Sequence, residues 1–316
     1  MEKRDKTKAY DFVIIGAGVA GLSAAMYGAR LGMKTLVLGA SLGSEMPIGG
    51  IITTTNSVEN YPGFAHISGV ELAEKIRKQA ESYKTVTIKN EMAESVKSDG
   101  KEFAVESSKG KYKGKTILFA TGGMWRKLNV PGSKNFENKG IAYCALCDAP
   151  LFKNKTVAVV GGSDVAVKDA LVLAEHAKKV FIIYRGEKLR AEQVTLEKVE
   201  SNKKIEVITK TNIIEVKGEN SIKSVVLDNA YNGSKELEVQ GIFVAIGHEP
   251  LSEIAEKIGV KTNEKGEIII NHNSAETNVG GVYAAGDVTD NKFKQVIIGV
   301  AEGCMAARSA YEFLKK

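Results

Sequence analysis

An α/β fold is predicted by three features of the sequence. A short apolar strand, Tyr10 to Ile15, runs into Gly16-Ala-Gly18-Val-Ala-Gly21 and then into a helical pattern. The same strand–turn–helix–strand order returns at Thr156. Two further apolar strands stop at glycine, one at Ala120-Thr121-Gly122 and one at Ala245-Ile246-Gly247. Together they predict two Rossmann-like dinucleotide-binding domains, the second inserted in the first. The boundaries fall at residues 1–121 plus 248–316 for the first and 122–247 for the second.

The elements follow in order. Tyr10 to Ile15 is apolar and short, the mark of a strand buried on both faces. Gly16 allows the tight turn, Gly18 lets a pyrophosphate approach the backbone, and Gly21 lets helix and strand pack closely. The helix from Leu22 presents free N–H groups and a favourable dipole to an anion. Thr35 to Leu38 is the next strand. Gly39 stands at its end, where an acid often binds ribose, so that anchor must come from elsewhere or be absent. In the repeat, Thr156 to Val160 is the strand, Gly161-Gly162-Ser163 the turn, Val165 to His176 the helix and Val180 to Ile183 the second strand. Gly39 lies 23 residues after Gly16, and Tyr184 lies 23 after Gly161, so the two units share one register. Ser163 replaces the second glycine of the turn. Tyr184-Arg185-Gly186 and Arg190 follow the second strand with no acid, so Arg185 and Arg190 suit a 2′-phosphate. Lys97 to Gly114 reads as hairpins and surface loops. Gly281-Val-Tyr-Ala-Ala-Gly286-Asp287 is a strand ending in glycine and an acid, with a helix from about Gln295 to Leu314 behind it.

Between the two glycine turns stands Cys144-Ala-Leu-Cys147-Asp148. Cysteines three apart share a face of a helical turn. A helix start favours the thiolate, the form that attacks disulfides. Asp148 can exchange the protons of that reaction, and Pro150 limits the helix. Zinc needs about four ligands. Only Cys304 and four scattered histidines could join the pair, none at finger-like spacing, so no metal is expected. Cys304 reads as a packing residue. Three cysteines in 316 residues form no structural disulfide framework.

Bulk composition narrows the class. Apolar residues make up 43%, an ordinary globular share, and no apolar run reaches bilayer length. The charged N-terminus has no signal-peptide core, so the expected location is cytoplasmic. The net charge of +6 is spread among glutamates without basic–aromatic interleaving, which speaks against nucleic acid. A mild positive field would help dock an acidic protein.

Taken together, these motifs resemble the low-molecular-weight thioredoxin reductases along nearly the whole chain. Gly49-Gly50-Ile51-Ile52 with Val58-Glu59-Asn60-Tyr61-Pro62-Gly63 looks like the family's flavin loop. Ala120-Thr121-Gly122 matches its crossover and Cys144-x-x-Cys147-Asp148 its redox centre. Tyr184 to Glu192 follows its NADPH phosphate segment. Gly286-Asp287-Val288, Lys294-Gln295-Val296 and Gly303 to Ala307 match its C-terminal flavin segment.

The resemblance implies FAD in the first domain, on Gly16, Gly18, Gly21, Gly49, Gly50, Ile51, Ile52, Asn60, Gly286, Asp287, Lys294, Gln295 and Val296. It implies NAD(P)H in the second, on Gly161, Gly162, Ser163, Asp164, Arg185 and Arg190. Asp287 would hold the flavin's ribityl and phosphate region. Cys147 would be the thiol nearer the flavin, Cys144 the one that attacks thioredoxin, and Asp148 the acid–base. A homodimer and a thioredoxin-like partner are implied too, with no nucleic acid and no membrane.

Three positions depart from the family's pattern: Ile51 stands for glutamine, Ser163 for glycine, and Tyr184-Arg185-Gly186 for a histidine and two arginines. The last two leave the donor open among NADPH, NADH and a non-nicotinamide reductant such as ferredoxin or a deazaflavin. Related flavoenzymes without the cysteine pair, or with an extra N-terminal redox domain, fit less well. A flavin-bearing redox sensor is the non-enzymatic alternative.

Overall fold

Strand β1 (Lys8–Ile15) forms because both of its faces are apolar and both find a core. Val13 and Ile15 belong to one buried cluster, and Phe12 and Ile14 to another on the opposite face. That alternation is what a strand inside a parallel sheet covered on both sides requires. The computed structural model describes residues 8–40, 48–55 and 58–316.

After β1 come α1 (Val19–Arg30), β2 (Thr35–Leu38), α2 (Gly69–Glu81) and β3 (Val86–Lys89). The antiparallel strands β4 (Ala93–Ser98), β5 (Phe103–Ser107) and β6 (Gly110–Phe119) follow. The chain then leaves through β7 (Gly123–Trp125). The second stretch holds β8 (Ile141–Ala142), α3 (Ala145–Asp148), β9 (Thr156–Val160), α4 (Asp164–His176), β10 (Lys179–Ile183), α5 (Gln193–Ser201) and β11 (Ile205–Ile208). It continues with β12 (Ile213–Gly218), β13 (Ile222–Tyr231), β14 (Ser234–Glu238) and β15 (Gly241–Val244). The chain returns through β16 (His248–Pro250) to α6 (Glu253–Glu256), β17 (Val282–Ala284) and α7 (Val296–Phe313). The crossings β7 and β16 pair with each other.

Two units result, residues 1–124 with 249–316, and residues 125–248. In the first, the sheet runs β3-β2-β1-β6-β5-β4. One edge of β6 pairs β5 through Gly114 and then β17 from Ile117 onward. So Lys97 to Gly114 is more than hairpin and loop: its last residues begin the strand that lies parallel to β1. In the second unit the sheet runs β11-β10-β9-β15-β8, its pairs all parallel, beside an antiparallel β12-β13-β14 sheet. Strand β9 repeats the logic of β1, with Val157 and Val159 in one core and Ala158 and Val160 in the other.

Close backbone packing joins the first and last helices. A Cβ on Gly303 of α7 would stand 2.2 Å from the carbonyl oxygen of Ala20 on α1, and one on Gly299 would stand 3.3 Å from the Cα of Gly286. No side chain fits at Gly303 without displacing the helices, and Gly299 leaves only a tight fit.

Candidate active site

The dithiol sits at a helix start. Cys144 is extended and caps α3, and its sulfur accepts the N–H of Cys147 at 3.2 Å. Its carbonyl oxygen also accepts from Cys147 and from Asp148, at 3.2 and 3.1 Å. Cys144 and Cys147 are joined as a disulfide, with Cα atoms 5.3 Å apart. A hydrogen bond to sulfur favours the anionic form of a thiol once the disulfide opens. Pro150 is the second residue of a 3₁₀ segment, Ala149–Phe152, that follows the α-helical turn.

Asp148 closes α3 and is mostly buried, and burial pushes its carboxyl up to about 6. Such a group gives and takes protons near neutrality. A second acid shares this property. Asp169 lies on α4, which packs against α3, and burial pushes its carboxyl up to about 7. The sequence reading missed Asp169. Its signal is an acid set in the stripe Ala166, Ala170 and Leu173, which is otherwise apolar and fully buried.

The first glycine turn makes a backbone cradle. Gly16 has φ +116°, and a Cβ there would meet the Ala120 carbonyl oxygen at 2.1 Å. A Cβ on Gly21 would lie 2.0 Å from the oxygen of Gly16. Gly18 is different: its nearest neighbour would be the Cα of Gly50, at 3.7 Å. Gly49 donates its N–H to Ala17 at 2.8 Å and bridges to Gly18. The turn and the Gly49-Gly50 segment thus face each other across bare backbone at the start of α1, whose first N–H groups have no side-chain cap. A pyrophosphate fits such a place. Gly39 has a steric reason to lack a side chain, since a Cβ there would stand 2.2 Å from that of Ala17.

More of this unit converges on the start of α7. Ile51 opens the 3₁₀ segment Ile51–Thr54 and is exposed, while Ile52 packs with Val58, Leu72 and Val296. Asn60 donates its side-chain amide to the side-chain oxygen Oε1 of Gln295 at 3.1 Å. Lys294 donates to the backbone oxygens of Asp287, at 3.1 Å, and Thr289, and pairs with Glu267 at 3.1 Å. Burial works against the Glu267 charge, but Asn263 and Lys294 hold its carboxyl below the ordinary range.

Beneath these groups lies Glu302, which the sequence reading also missed. It is 2% exposed. One of its oxygens accepts the Gly286 N–H at 2.7 Å and the Thr289 hydroxyl at 3.4 Å, and the other accepts the Asn291 amide at 2.9 Å. It therefore fixes the loop that carries Asp287. The trace it leaves in the sequence is a lone acid between Gly299 and Gly303 on a small-residue helix.

The second glycine turn copies the first in its geometry. Gly161 has φ +143°, and a Cβ there would meet the Ala245 carbonyl oxygen at 2.4 Å, as Gly16 meets Ala120. Ser163 turns its hydroxyl onto the N–H of Ala166, at 3.5 Å, and caps α4. Asp164 is paired with Lys168 at 2.7 Å. Arg185 and Arg190 are exposed, and the Arg190 guanidinium lies 5.9 Å from the centre of the Tyr184 ring.

The family model for pyridine nucleotide-disulphide oxidoreductases matches residues 10–303. The chain belongs to that family. Membership of this family implies a flavin and a nicotinamide cofactor. A thioredoxin reductase of Bacillus subtilis (strain 168) is 36% identical, over 98% of this chain and 96% of its own. One of Dictyostelium discoideum is 40% identical, over 96% of each. The solved thioredoxin reductase of Streptococcus pyogenes MGAS5005 superposes with a TM-score of 0.88 at 31% identity, covering 98% of this chain and 99% of that one. That of Giardia duodenalis gives 0.88 at 32% identity, over 98% and 100%. Among the described residues no cluster of acids, cysteines and histidines could hold a metal ion, and no helix is long and apolar enough to cross a membrane.

Proposed function

We propose that this chain is a thioredoxin-disulfide reductase, carrying electrons from a reduced nicotinamide nucleotide through FAD to the Cys144–Cys147 disulfide and on to a thioredoxin-like protein. The observation that carries the reading is the disulfide at the start of α3, directly followed by an acid poised near neutrality. The full-length likeness to thioredoxin reductases supports it.

FAD would be held on Gly16, Gly18 and Gly21, on Gly49 to Ile52 and Asn60, and on Gly286, Asp287 and Lys294 to Val296. Bound there, it supplies two-electron transfer between a nicotinamide and a disulfide. Gly161 to Asp164, with Arg185 and Arg190, would form the donor site for NAD(P)H. Two electrons and two protons break the sulfur–sulfur bond and leave both cysteines reduced. The Cys144 thiolate then attacks a sulfur of the thioredoxin disulfide, forming one bond and releasing the second thioredoxin sulfur. Cys147 attacks the Cys144 sulfur, reforms the internal disulfide and releases reduced thioredoxin. Asp148 holds and returns the protons that the thiolates need. The chain works as a homodimer in the cytoplasm.

The test is anaerobic titration of the purified protein with NADPH, NADH and dithionite while the flavin absorbance is followed, then addition of oxidised thioredoxin. Bleaching by a nucleotide and recovery with thioredoxin is the expected result. Replacing Cys147 by serine is expected to abolish recovery with thioredoxin and spare bleaching. A protein that takes up no FAD, or a Cys147→Ser variant that reduces thioredoxin at the native rate, overturns the reading.

A further inference from the structure

The Tyr184 ring governs the residue two places after it. Backbone bonds fix Tyr184 at the end of β10: its N–H donates to Ile208 at 2.9 Å and its oxygen accepts from Thr211 at 3.1 Å. Its ring then lies between two glycines. A Cβ on Gly162 would stand 2.3 Å from the ring's Cγ, and one on Gly186 would stand 2.5 Å from Cε1 and 2.7 Å from the phenol oxygen. Neither glycine has the positive φ that would demand glycine on backbone grounds. What excludes a side chain at 162 and at 186 is the ring itself. Arg190 closes the group, its N–H donating to Gly162 at 2.7 Å and its guanidinium lying over the ring.

This ring covers the glycine turn on the side where the adenosine half of a nucleotide meets the end of the second Rossmann strand. The ring itself is uncharged, and the cations of this segment are Arg185 and Arg190, whose guanidinium lies 5.9 Å from the ring centre. Bases stack on aromatic faces, whereas a 2′-phosphate needs guanidinium groups. We propose that Tyr184 is the donor-specificity residue of this site, excluding a third cation from position 186 and so replacing part of the charge recognition of the 2′-phosphate by stacking. The ligands are nicotinamide dinucleotides, and the site separates the phosphorylated from the unphosphorylated form by less than about tenfold. The inference rests on the second glycine turn being the donor site of the function above.

It is tested by anaerobic rapid reduction of the flavin with NADPH and with NADH in four proteins: native, Tyr184→Ala, Gly186→Arg and the double variant. The native protein is expected to bind both donors within about tenfold of each other. Tyr184→Ala weakens both alike, by roughly five- to a hundredfold if stacking is lost. Gly186→Arg alone gains no preference, because the ring fills its space. The double variant gains about tenfold or more toward NADPH. Unfolding supplies an independent readout: Gly186→Ala is destabilising beside Tyr184 and neutral beside alanine.

A full NADPH gain from Gly186→Arg alone, a native preference above about a hundredfold, or Gly186→Ala behaving identically in both backgrounds overturns the proposal. If neither nucleotide reduces the flavin of any variant but the dithionite-reduced protein still reduces thioredoxin, this inference falls and the disulfide-reductase activity stands. If nucleotides reduce the flavin but thioredoxin is never reduced, the activity falls and the inference stands.

Discussion

The Trp125 indole lies nearly parallel to the Tyr143 ring, 13° apart with centroids at 6.5 Å, and Tyr143 immediately precedes Cys144. Tyr143 is fixed from its other end, donating its hydroxyl to Glu137 at 2.6 Å. Burial and the Glu137 carboxylate push its phenol well above the usual range, so it stays a neutral donor. Trp125 meets His248 edge-on at 5.0 Å.

Trp125 is the chain's 1 tryptophan, so its emission reports on the residue beside the disulfide. Reduction of Cys144–Cys147 is expected to change that emission. The change should survive in Tyr143→Phe, which keeps the ring, and shrink in Tyr143→Ala. Equal responses in both variants would show that the ring does not carry the signal.

Asp148 sets a pH limb on thiol–disulfide exchange. Its carboxyl, pushed up to about 6, is protonated below that pH and ionised above it. In a pH profile of single-turnover thioredoxin reduction, native protein should show a limb with an apparent midpoint near this value. Asp148→Asn should lose the limb and slow exchange by roughly 10²-fold. A profile unchanged by the substitution would remove Asp148 from the proton path.

Asp169 gives a stability prediction of definite sign. Burial raises its carboxyl from 3.8 unfolded to about 7 folded. Between those values the folded state binds more protons than the unfolded one, so stability falls as pH rises through the window. The loss is complete above the folded value. Asp169→Asn should therefore match the native protein at about pH 4 and exceed it at about pH 8 by on the order of 3 kcal/mol. Urea midpoints at the two pH values measure this, and a variant less stable at the higher pH would contradict it.

Glu302 accepts from the Gly286 N–H and the Asn291 amide, and shares the Thr289 hydroxyl with the Gly286 oxygen. Glu302→Ala should cost at least about 3 kcal/mol in urea unfolding and lower the flavin content of the purified protein, since Gly286 and Asn291 lose their acceptor. Glu302→Gln keeps one oxygen and should fall between. Full flavin content in the alanine variant would mean that the Asp287 loop holds its shape without the carboxylate.

Much of this was legible in the sequence because it follows local rules. The strands around Gly16 and Gly161 could be read from apolar runs and turn chemistry, which act within a few residues. Cys144, Cys147 and Asp148 could be read from spacing. Asp169 and Glu302 could not, because their roles depend on burial, and burial is decided by which helix packs where. The meaning of Gly186 was also hidden. Read along the chain it is an absent cation, whereas in space it is room for the Tyr184 ring. Restoring arginine at Gly186 is therefore expected to gain little unless Tyr184 is changed as well.

The Gly303–Ala20 contact has a consequence for synthesis on the ribosome. Helix α1 cannot be covered, nor β6 complete its edge, until residues 282–313 exist. The inserted unit, residues 125–248, is contiguous and emerges earlier. Domains fold as units during translation. The unit that carries the dithiol can therefore fold while the first glycine turn still waits for the helix that will close it. Throughout that interval the nascent chain exposes the apolar faces of α1 and β6.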